Sequence, residues 1–318
     1  MLDSRPKKDE LQKKQQRSPL HLALPATTAN LGPAFDAAAL AMDLYITIDA
    51  RPSAEFSIRA TGRDAHICQS LERHLILTTY REVLQSRSID AIPLSLRIKN
   101  EIPIGKGCGS SAAARLAGIA LANHFGRLRW TNSQIIGEAS RREHHPDNAS
   151  ACWMGGLTVA RMSGEAEALV VSIRPKGKWP LLLAIPDEAW STEESRRALP
   201  DQYSRADAVV NIQNSMLLLA ALMQGRHELL ASALDDRLHQ PYRAPLCPLL
   251  PCLQKLAGST GVLGAALSGA GPSVVVFLDP HFSALQTRKR IAQHLHGAGY
   301  RAELLLTSIS TRGASGSR

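Results

Sequence analysis

The chain has 318 residues, of which 44% are hydrophobic but only 4% aromatic, and its formal net charge is +9 at pH 7. This length supports a large aliphatic core and about two domains. No apolar run reaches the roughly 18 residues of a membrane span, so we expect no membrane partner. The five cysteines are odd in number and show no CxxC spacing, which favours a reduced, cytoplasmic protein.

The positive charge does not by itself predict nucleic-acid binding. Basic residues crowd into the first 17 positions, so part of the excess belongs to a tail. Few aromatic residues are interleaved with the remaining basic ones, whereas single-stranded nucleic acid is bound by stacking on aromatic rings. We therefore expect a basic enzyme with anionic ligands and no nucleic-acid partner. Residues 1–18 lack periodicity and are interpreted as a disordered charged leader.

Apolar periodicity predicts mixed strands and helices in the first half of the chain. The predicted strands are 21–25, a segment ending near residues 50–52, 55–60, 94–100, 157–161 and 168–173. The predicted helices are 71–85, one that follows residue 109 to about residue 124, and 131–142, the last capped by Asn132 or Ser133.

The second half continues the mixture after a predicted hinge at 164–178. Its predicted strands are 181–185, 274–277 and 301–309, and its predicted helices are 191–199, 205–223, 227–234, 249–257 and 282–295. Strands and helices do not alternate strictly, which favours an α+β fold over a doubly wound sheet. We predict an N-terminal domain at 19–172 and a C-terminal domain at 173–318.

The segment PIGKGCGSSAA, from Pro103 to Ala113, is the clearest candidate site. Three alternate glycines precede Ser110, Ser111 and an alanine-rich run, which is typical of a loop leading into a helix. Unpaired N–H groups and the helix dipole favour phosphate there. An ordinary strand-to-helix connection has the same composition. The spacing excludes a Walker loop and a dinucleotide fingerprint.

Two more glycine-bearing segments, 25–36 and 267–277, flank this loop in the chain. Together the three resemble the signature motifs of the GHMP small-molecule kinases, and within them the homoserine kinases most closely. Similar segments are PATTANLGPAFD at 25–36 (with Thr28 and Ala34 as departures), PIGKGCGSSAA (Cys108 for the usual Leu), HPDN at 145–148, Thr192–Pro200 (Ser195 for Ala), HQPYR at 239–243 and SGAGPS at 268–273. The resemblance covers about residues 19 to 310.

The resemblance implies a two-domain GHMP-kinase fold, with a ribosomal-S5-type N-terminal domain and a ferredoxin-like C-terminal domain. It implies ATP-dependent phosphorylation of the side-chain hydroxyl of L-homoserine, giving O-phospho-L-homoserine for threonine biosynthesis. ATP, Mg²⁺, a cytoplasmic location and a homodimer are implied as well.

The resemblance also assigns the phosphate half of the site. The residues expected to wrap the triphosphate are Pro103, Ile104, Gly105, Lys106, Gly107, Cys108, Gly109, Ser110, Ser111, Ala112 and Ala113. The third motif, Ser268, Gly269, Ala270 and Gly271, is expected to close around both ligands. The Lys106 side chain either adds charge to the phosphates or points to solvent.

Magnesium prefers oxygen ligands and usually takes one or two from protein. By resemblance these are Ser111 and Glu143, with Glu138 as the second choice for the acid. His144 stands where the family has Gly, so the backbone at Glu143 is an open question.

The acceptor is an amino acid with a hydroxyl group. Arg binds a carboxylate bidentately, and the positions that match the family are Arg196 and Arg243. The other substrate-binding residues expected by resemblance are Asn30, Asp36, His145 and Asp147, and the catalytic residues are Asp147 and Asn148. Asp147 is expected to orient the substrate rather than to act as a strong base, since an ordinary Asp is a weak base for an alcohol.

Two alternatives stay open from the residues. One is another kinase of the same superfamily, of the mevalonate or diphosphocytidyl-methylerythritol type, whose substrate lacks an amino acid's α-carboxylate. The other is a non-catalytic ligand-binding or nucleic-acid-binding protein that uses the basic charge. Turnover of ATP separates this last class from the kinases.

Overall fold

A computed structural model describes residues 18–72, 74–188 and 192–314. The strands are β1 (Leu20–Ala29), β2 (Ala38–Pro52), β3 (Ser57–Gly62), β4 (Leu94–Asn100), β5 (Leu157–Met162), β6 (Ala168–Ile173), β7 (Pro180–Ile185), β8 (Val262–Leu267), β9 (Val274–Leu278) and β10 (Glu303–Ser308). The helices are α1 (Ala65–Gln69), α2 (Leu75–Gln85), α3 (Ser110–Phe125), α4 (Asn132–Glu143), α5 (Asp147–Met154), α6 (Thr192–Arg197), α7 (Arg205–Gln224), α8 (Leu230–Ala233), α9 (Gln240–Arg243), α10 (Leu249–Gln254) and α11 (Ala284–Gly297), with a 3₁₀ turn at His227–Leu229.

The strands form two sheets. The first has the order β3-β4-β2-β5-β6, with β1 pairing β2, and the second has the order β10-β7-β9-β8. Strands β3 and β4 are parallel, whereas the other pairs are antiparallel. This mixed architecture confirms the predicted α+β class. The change of sheet falls between Ile173 and Pro180, at the predicted hinge, and the exact domain limits stay a prediction.

The alanine-rich helix α3 lies at the centre of the first core. Most of its residues between Ala112 and Phe125 are buried. A Cβ at Gly118 would lie 2.5 Å from the Ile76 carbonyl oxygen, so the backbones of α2 and α3 approach closely only because this residue is glycine. Small side chains therefore allow close helix packing, and α3 holds the loop before it.

Several predicted elements need correction. The helix predicted at 71–85 begins at Leu75, and a separate helix, α1, precedes it. The cap of α4 is Thr131 rather than Asn132 or Ser133, because Thr131 and Gln134 form a reciprocal capping box. The strand predicted at 21–25 continues to Ala29. Helix α5 was missed, since its sequence has the polar character of a turn.

The 1–18 leader, apart from Ser18, and Ser191, the first residue of the helix predicted at 191–199, lie outside the described residues. Within the described part of the chain, α7 is long and apolar enough to cross a membrane by length and composition, which is weak evidence for a span. This helix donates two hydrogen bonds to the Pro33 carbonyl, from Asn211 Nδ2 and Ser215 Oγ, each at 2.7 Å. Helix α7 therefore supports the first glycine-bearing segment.

Candidate active site

A cavity of about 220 Å³ lies where the motif segments converge. It is lined by Asn30, Phe35, Asp36, Gly105, Gly107, Gly109, Ser110, Ser111, Glu143, His145, Asp147, Asn148, Arg196, Arg243, Gly269, Ala270 and Gly271. Segments that are far apart in the sequence thus share one site.

The remaining predicted site residues lie around this cavity. Pro103, Cys108, Ala112, Ala113 and Ser268 are buried, and Ile104 lines a neighbouring cavity. The side chain of Lys106 reaches neither of the two places considered for it, because its ammonium is bound by backbone carbonyls. The assignment of the Pro103–Ala113 loop to the phosphates stays a prediction.

The glycine loop is held in a conformation that larger residues resist. Gly109 has φ +70°, and a Cβ there would lie 1.9 Å from Thr27 Oγ1. Gly107 has φ +76°, and its Cβ would lie 2.3 Å from the Ser268 carbonyl oxygen. Positive φ and close approach both favour glycine. The loop is followed directly by the N-terminus of α3, so backbone N–H groups are available to an anion.

The third motif packs directly against this loop. Ser268 Oγ donates to the Gly107 carbonyl at 2.8 Å. The Ser273 N–H donates to the Lys106 carbonyl at 3.3 Å. From the other side, Asn30 Nδ2 donates to the Gly269 carbonyl at 2.8 Å. The three glycine-bearing segments are therefore joined by hydrogen bonds into one frame.

Oxygen ligands for a metal lie at the start of α3 and the end of α4. Ser111 Oγ donates to Glu143 Oε2 at 2.8 Å, and Arg115 Nε donates to Glu143 Oε1 at 2.5 Å. His144 has φ +69°, the conformation that glycine adopts most readily, so the backbone keeps Glu143 at the cavity. Glu138 instead pairs with Arg141 and Arg142.

A buried polar cluster starts helix α5. Asp147 Oδ1 accepts from His145 Nδ1 at 2.6 Å and from Asn148 Nδ2 at 3.1 Å. Asn148 Oδ1 accepts from Thr27 Oγ1 at 2.6 Å. Burial alone lowers the pKa of His145, but the hydrogen bond and charge of Asp147, together with the charges of Asp36 and Glu143, outweigh it, so the pKa is raised. The pair therefore favours an imidazolium beside a carboxylate.

Two guanidiniums face these carboxylates. Arg196 Nη2 lies 2.9 Å from Asp36 Oδ1 and 3.0 Å from Oδ2. Burial raises the pKa of Asp36, and the charge of Arg196 opposes the rise. Burial and the neighbouring Arg196 lower the pKa of Arg243 to about 10, which leaves it charged at neutral pH. The site therefore presents both signs of charge within one small cavity.

Among the described residues, one acidic and histidine cluster could also hold a cation. Ligand atoms of Asp36, His145 and Asp147 lie within 4.8 Å of one another. His145 therefore lies close to the carboxylates of Asp36 and Asp147. The sequence spacing did not reveal that Asp36 belongs to this cluster. An imidazolium has no free lone pair for a metal, so with His145 protonated the two carboxylates suit an ammonium group better.

Two family signatures match this chain. 'GHMP kinases N terminal domain' matches residues 74–156, and 'GHMP kinases C terminal' matches residues 218–297. A protein named homoserine kinase from Solibacter usitatus is 40% identical over 293 residues, which are 92% of this chain and 95% of that protein. This chain belongs to the homoserine kinase family of GHMP kinases.

Solved structures agree with this family. The crystal structure of homoserine kinase from Cytophaga hutchinsonii has a TM-score of 0.77 at 22% identity and covers 98% of this chain and 99% of that chain. L. major mevalonate kinase in complex with R-mevalonate has a TM-score of 0.69 at 16% identity, covering 94% of this chain and 98% of that chain. At these identities both show the two-domain GHMP kinase fold alone, and the assignment to the homoserine kinase family comes from the closer sequence match.

One departure from the homoserine kinase motif has a structural explanation. Cys108 is fully buried, and burial raises its pKa to about 12, so the thiol stays neutral. Its carbonyl accepts from the Thr27 N–H at 3.1 Å. The side chain thus packs into the core while the backbone shapes the loop.

Three residues of the site were missed by the sequence analysis. The Phe35 ring lies 5.7 Å from the Arg196 guanidinium carbon, 5.3 Å from that of Arg243, and 5.2 Å from the His239 ring. Thr27 holds Asn148, and Arg115 holds Glu143. Phe35 and Thr27 belong to the first motif, so their position in the sequence could have indicated that they lie at the site. Arg115 gave none, because its partner lies 28 residues away.

Proposed function

We propose that this protein transfers the terminal phosphoryl group of ATP to the side-chain hydroxyl of L-homoserine, giving O-phospho-L-homoserine for threonine biosynthesis. The observation that carries the proposal is the cavity itself. Two carboxylates and two guanidiniums face one end, and a glycine loop at a helix N-terminus forms the other. The charged end suits a zwitterionic amino acid, and the loop suits phosphate.

Substrate charges determine which residues bind which group. The α-carboxylate pairs with Arg196 and Arg243, whose planar guanidiniums can bind it bidentately. The ammonium group pairs with Asp36 and Asp147. Since Arg196 and Asp36 already form an ion pair, a zwitterion between them gives each a new partner of opposite charge. Asn30 fixes Asp36, because its Oδ1 accepts from the Asp36 N–H at 2.9 Å.

The protein positions the hydroxyl and does not use a strong base. Hydrogen bonds from His145 and Asn148 hold Asp147, which is the arrangement of an orienting group. Phosphoryl transfer depends mainly on positioning and charge neutralisation. Replacing Asp147→Asn should raise the KM for homoserine greatly at nearly normal kcat. A collapse of kcat alone would favour Asp147 as a general base.

Ser111 and Glu143 fit a magnesium ion. Two oxygen donors with one negative charge lie 2.8 Å apart beside the loop, and Mg²⁺ takes few protein ligands when phosphates supply the others. When bound, the ion neutralises phosphate charge. Arg115 holds Glu143 at this place from the other side.

A second cavity, of about 510 Å³, is proposed to hold the adenine ring. It is mainly apolar, with Ile67, Ile98 and Ile102 in its wall, and it shares Gly105, Ser110 and Ser111 with the first cavity. A nucleotide could therefore place its base in the apolar cavity and its phosphates at the loop. Ile104, which directly precedes Gly105 of the glycine loop, also lines this cavity.

The substrate is tested by ADP release with homoserine, serine, threonine and mevalonate as acceptors. We expect homoserine to give the highest kcat/KM. Equal or faster turnover of mevalonate would overturn the proposal in favour of the other superfamily branch.

Assembly and location are further parts of the proposal. We propose a cytoplasmic homodimer. The free cysteines Cys68, Cys108, Cys152, Cys247 and Cys252 are all buried thiols, which suits a reducing compartment. Sedimentation velocity tests the dimer, and a single species at the 34.4 kDa monomer mass would contradict it.

A further inference from the structure

Lys106 lies in the middle of the glycine loop, yet its ammonium contacts the second domain. Lys106 Nζ donates to the carbonyl oxygens of Pro186 at 3.0 Å, Asp187 at 2.6 Å and Glu188 at 2.8 Å. An ammonium has three donors, and here each has a carbonyl acceptor. This set of contacts is called the Lys106 anchor below.

The three carbonyls directly follow β7, which ends at Ile185. The same stretch of chain leads into α6, which begins at Thr192 and carries Arg196. The anchor therefore joins the loop proposed for phosphate to residues 186–188, which precede in the chain the helix proposed for the substrate carboxylate.

The other end of α6 is already fixed to the site. Ser195 Oγ donates to the Ala270 carbonyl at 2.8 Å, and Arg243 Nε donates to the Ser195 carbonyl at 3.1 Å. Arg196 is bound to Asp36. The Lys106 ammonium adds a contact at Pro186, Asp187 and Glu188, upstream of α6 in the chain, and this contact leads directly to the glycine loop.

Charge explains why lysine suits this position. Carbonyl oxygens directly after β7 present partial negative charge, and a compact ammonium can donate to three of them at once. Asp187 and Glu188 are both exposed, so their own carboxylates do not require the lysine. The contacts are therefore made to the backbone and do not depend on acidic side chains.

We propose that Lys106 is a positioning residue that couples the phosphate loop to substrate recognition by Arg196. The proposal rests on the proposed function for the identity of the substrate. The ammonium stays on the backbone carbonyls and makes no essential contact with the triphosphate. Ordering of the loop by the nucleotide then favours the α6 position that receives the amino acid.

Lys106→Met tests the anchor, with Lys99→Met as the matched control, because Lys99 is an exposed lysine that pairs with Glu101 at the surface. Isothermal titration measures each ligand with and without the other, using a non-hydrolysable ATP analogue. We expect Lys106→Met to weaken homoserine about tenfold in the presence of the analogue and to change nucleotide affinity less than twofold. Loss confined to nucleotide affinity would overturn the proposal and assign Lys106 to the phosphates.

Lys106→Arg separates charge from geometry. A planar guanidinium keeps the charge but cannot direct three donors to three successive carbonyls as an ammonium does. We expect nucleotide affinity to stay normal and homoserine affinity to stay weak. Full recovery of homoserine affinity would contradict the anchor.

A measurement without substrate distinguishes failure of the anchor from failure of the proposed function. Hydrogen exchange of the ligand-free protein should be faster in Lys106→Met than in wild type for peptides covering 180–188 and 192–197. Unchanged exchange there would overturn the anchor whatever the substrate is. If wild type does not phosphorylate homoserine, the proposed function fails, and this exchange result still decides whether the anchor exists.

Discussion

The phosphate end of the cavity is built from backbone, whereas the amino-acid end is built from side chains. The glycine loop is one continuous stretch, and its shape depends on positive φ at Gly105, Gly107 and Gly109. At the other end, Asp36, His145 and Arg196 come from separate segments. A site built from backbone tolerates a changed side chain such as Cys108. A site built from side chains loses its function when one charged side chain is removed.

The largest expected effect is steric and concerns the backbone end. Gly109→Ala should lower the free energy of unfolding by about 2 to 5 kcal/mol, because it adds left-handed strain and a clash with Thr27. Denaturation of the ligand-free protein measures it. Gly105→Ala is the control, since it has the same φ of +70° and nothing within 4 Å of its Cβ.

Gly105→Ala should cost only the strain, about 1 to 2 kcal/mol. Equal losses in the two variants would show that close packing against Thr27 is not what holds the loop.

The next effect concerns the side-chain end. Arg196→Gln should raise the KM for homoserine roughly 10- to 100-fold, because hydrogen bonds between charged groups are lost. The KM for ATP should change little. Arg197→Gln on the same helix is the control, since Arg197 is exposed and pairs with exposed Glu193. Similar effects from both variants would mean that α6 acts through its stability.

A smaller effect is expected at the proposed adenine cavity, and it should change the KM for ATP and not the KM for homoserine. Ile67 lines this cavity and is 49% exposed, so Ile67→Glu should fold. We expect the KM for ATP to rise about tenfold while the KM for homoserine is unchanged, because a charge replaces apolar contact with the base. Leu169→Glu, at a side chain that is 52% exposed on β6, is the control and should leave both values unchanged.

The smallest expected effect is a shift in the pKa of His145. NMR should place the pKa of His145 above the ordinary histidine value of about 6.5 in wild type and lower in Asp147→Asn, where the charges of Asp36 and Glu143 alone oppose burial. The folded-state pKa is raised, so stabilisation by this pair is present below the ordinary value and is lost as pH rises through the raised one. An identical pKa in both proteins would show that His145 and Asp147 do not form an ion pair.

Much of the site could be predicted from short stretches of sequence. The segments at 25–36, 103–113 and 268–273 each have glycines at fixed offsets, and such offsets specify local backbone shape. Strand β4 was predicted at its observed bounds, because its residues alternate between buried and exposed faces. Helix α5 escaped prediction because Pro146, Asp147 and Asn148 favour a turn when taken alone.

The sequence by itself determined the glycine loop, the α+β class and the family resemblance, since each depends on residues close together in the chain. Only the tertiary structure decided the partners of the charged groups. Arg196 and Asp36 are 160 residues apart, and Lys106 meets a carbonyl 80 residues away at Pro186. Local spacing carries no information about such contacts, because they form only when two sheets and their connecting helices pack together.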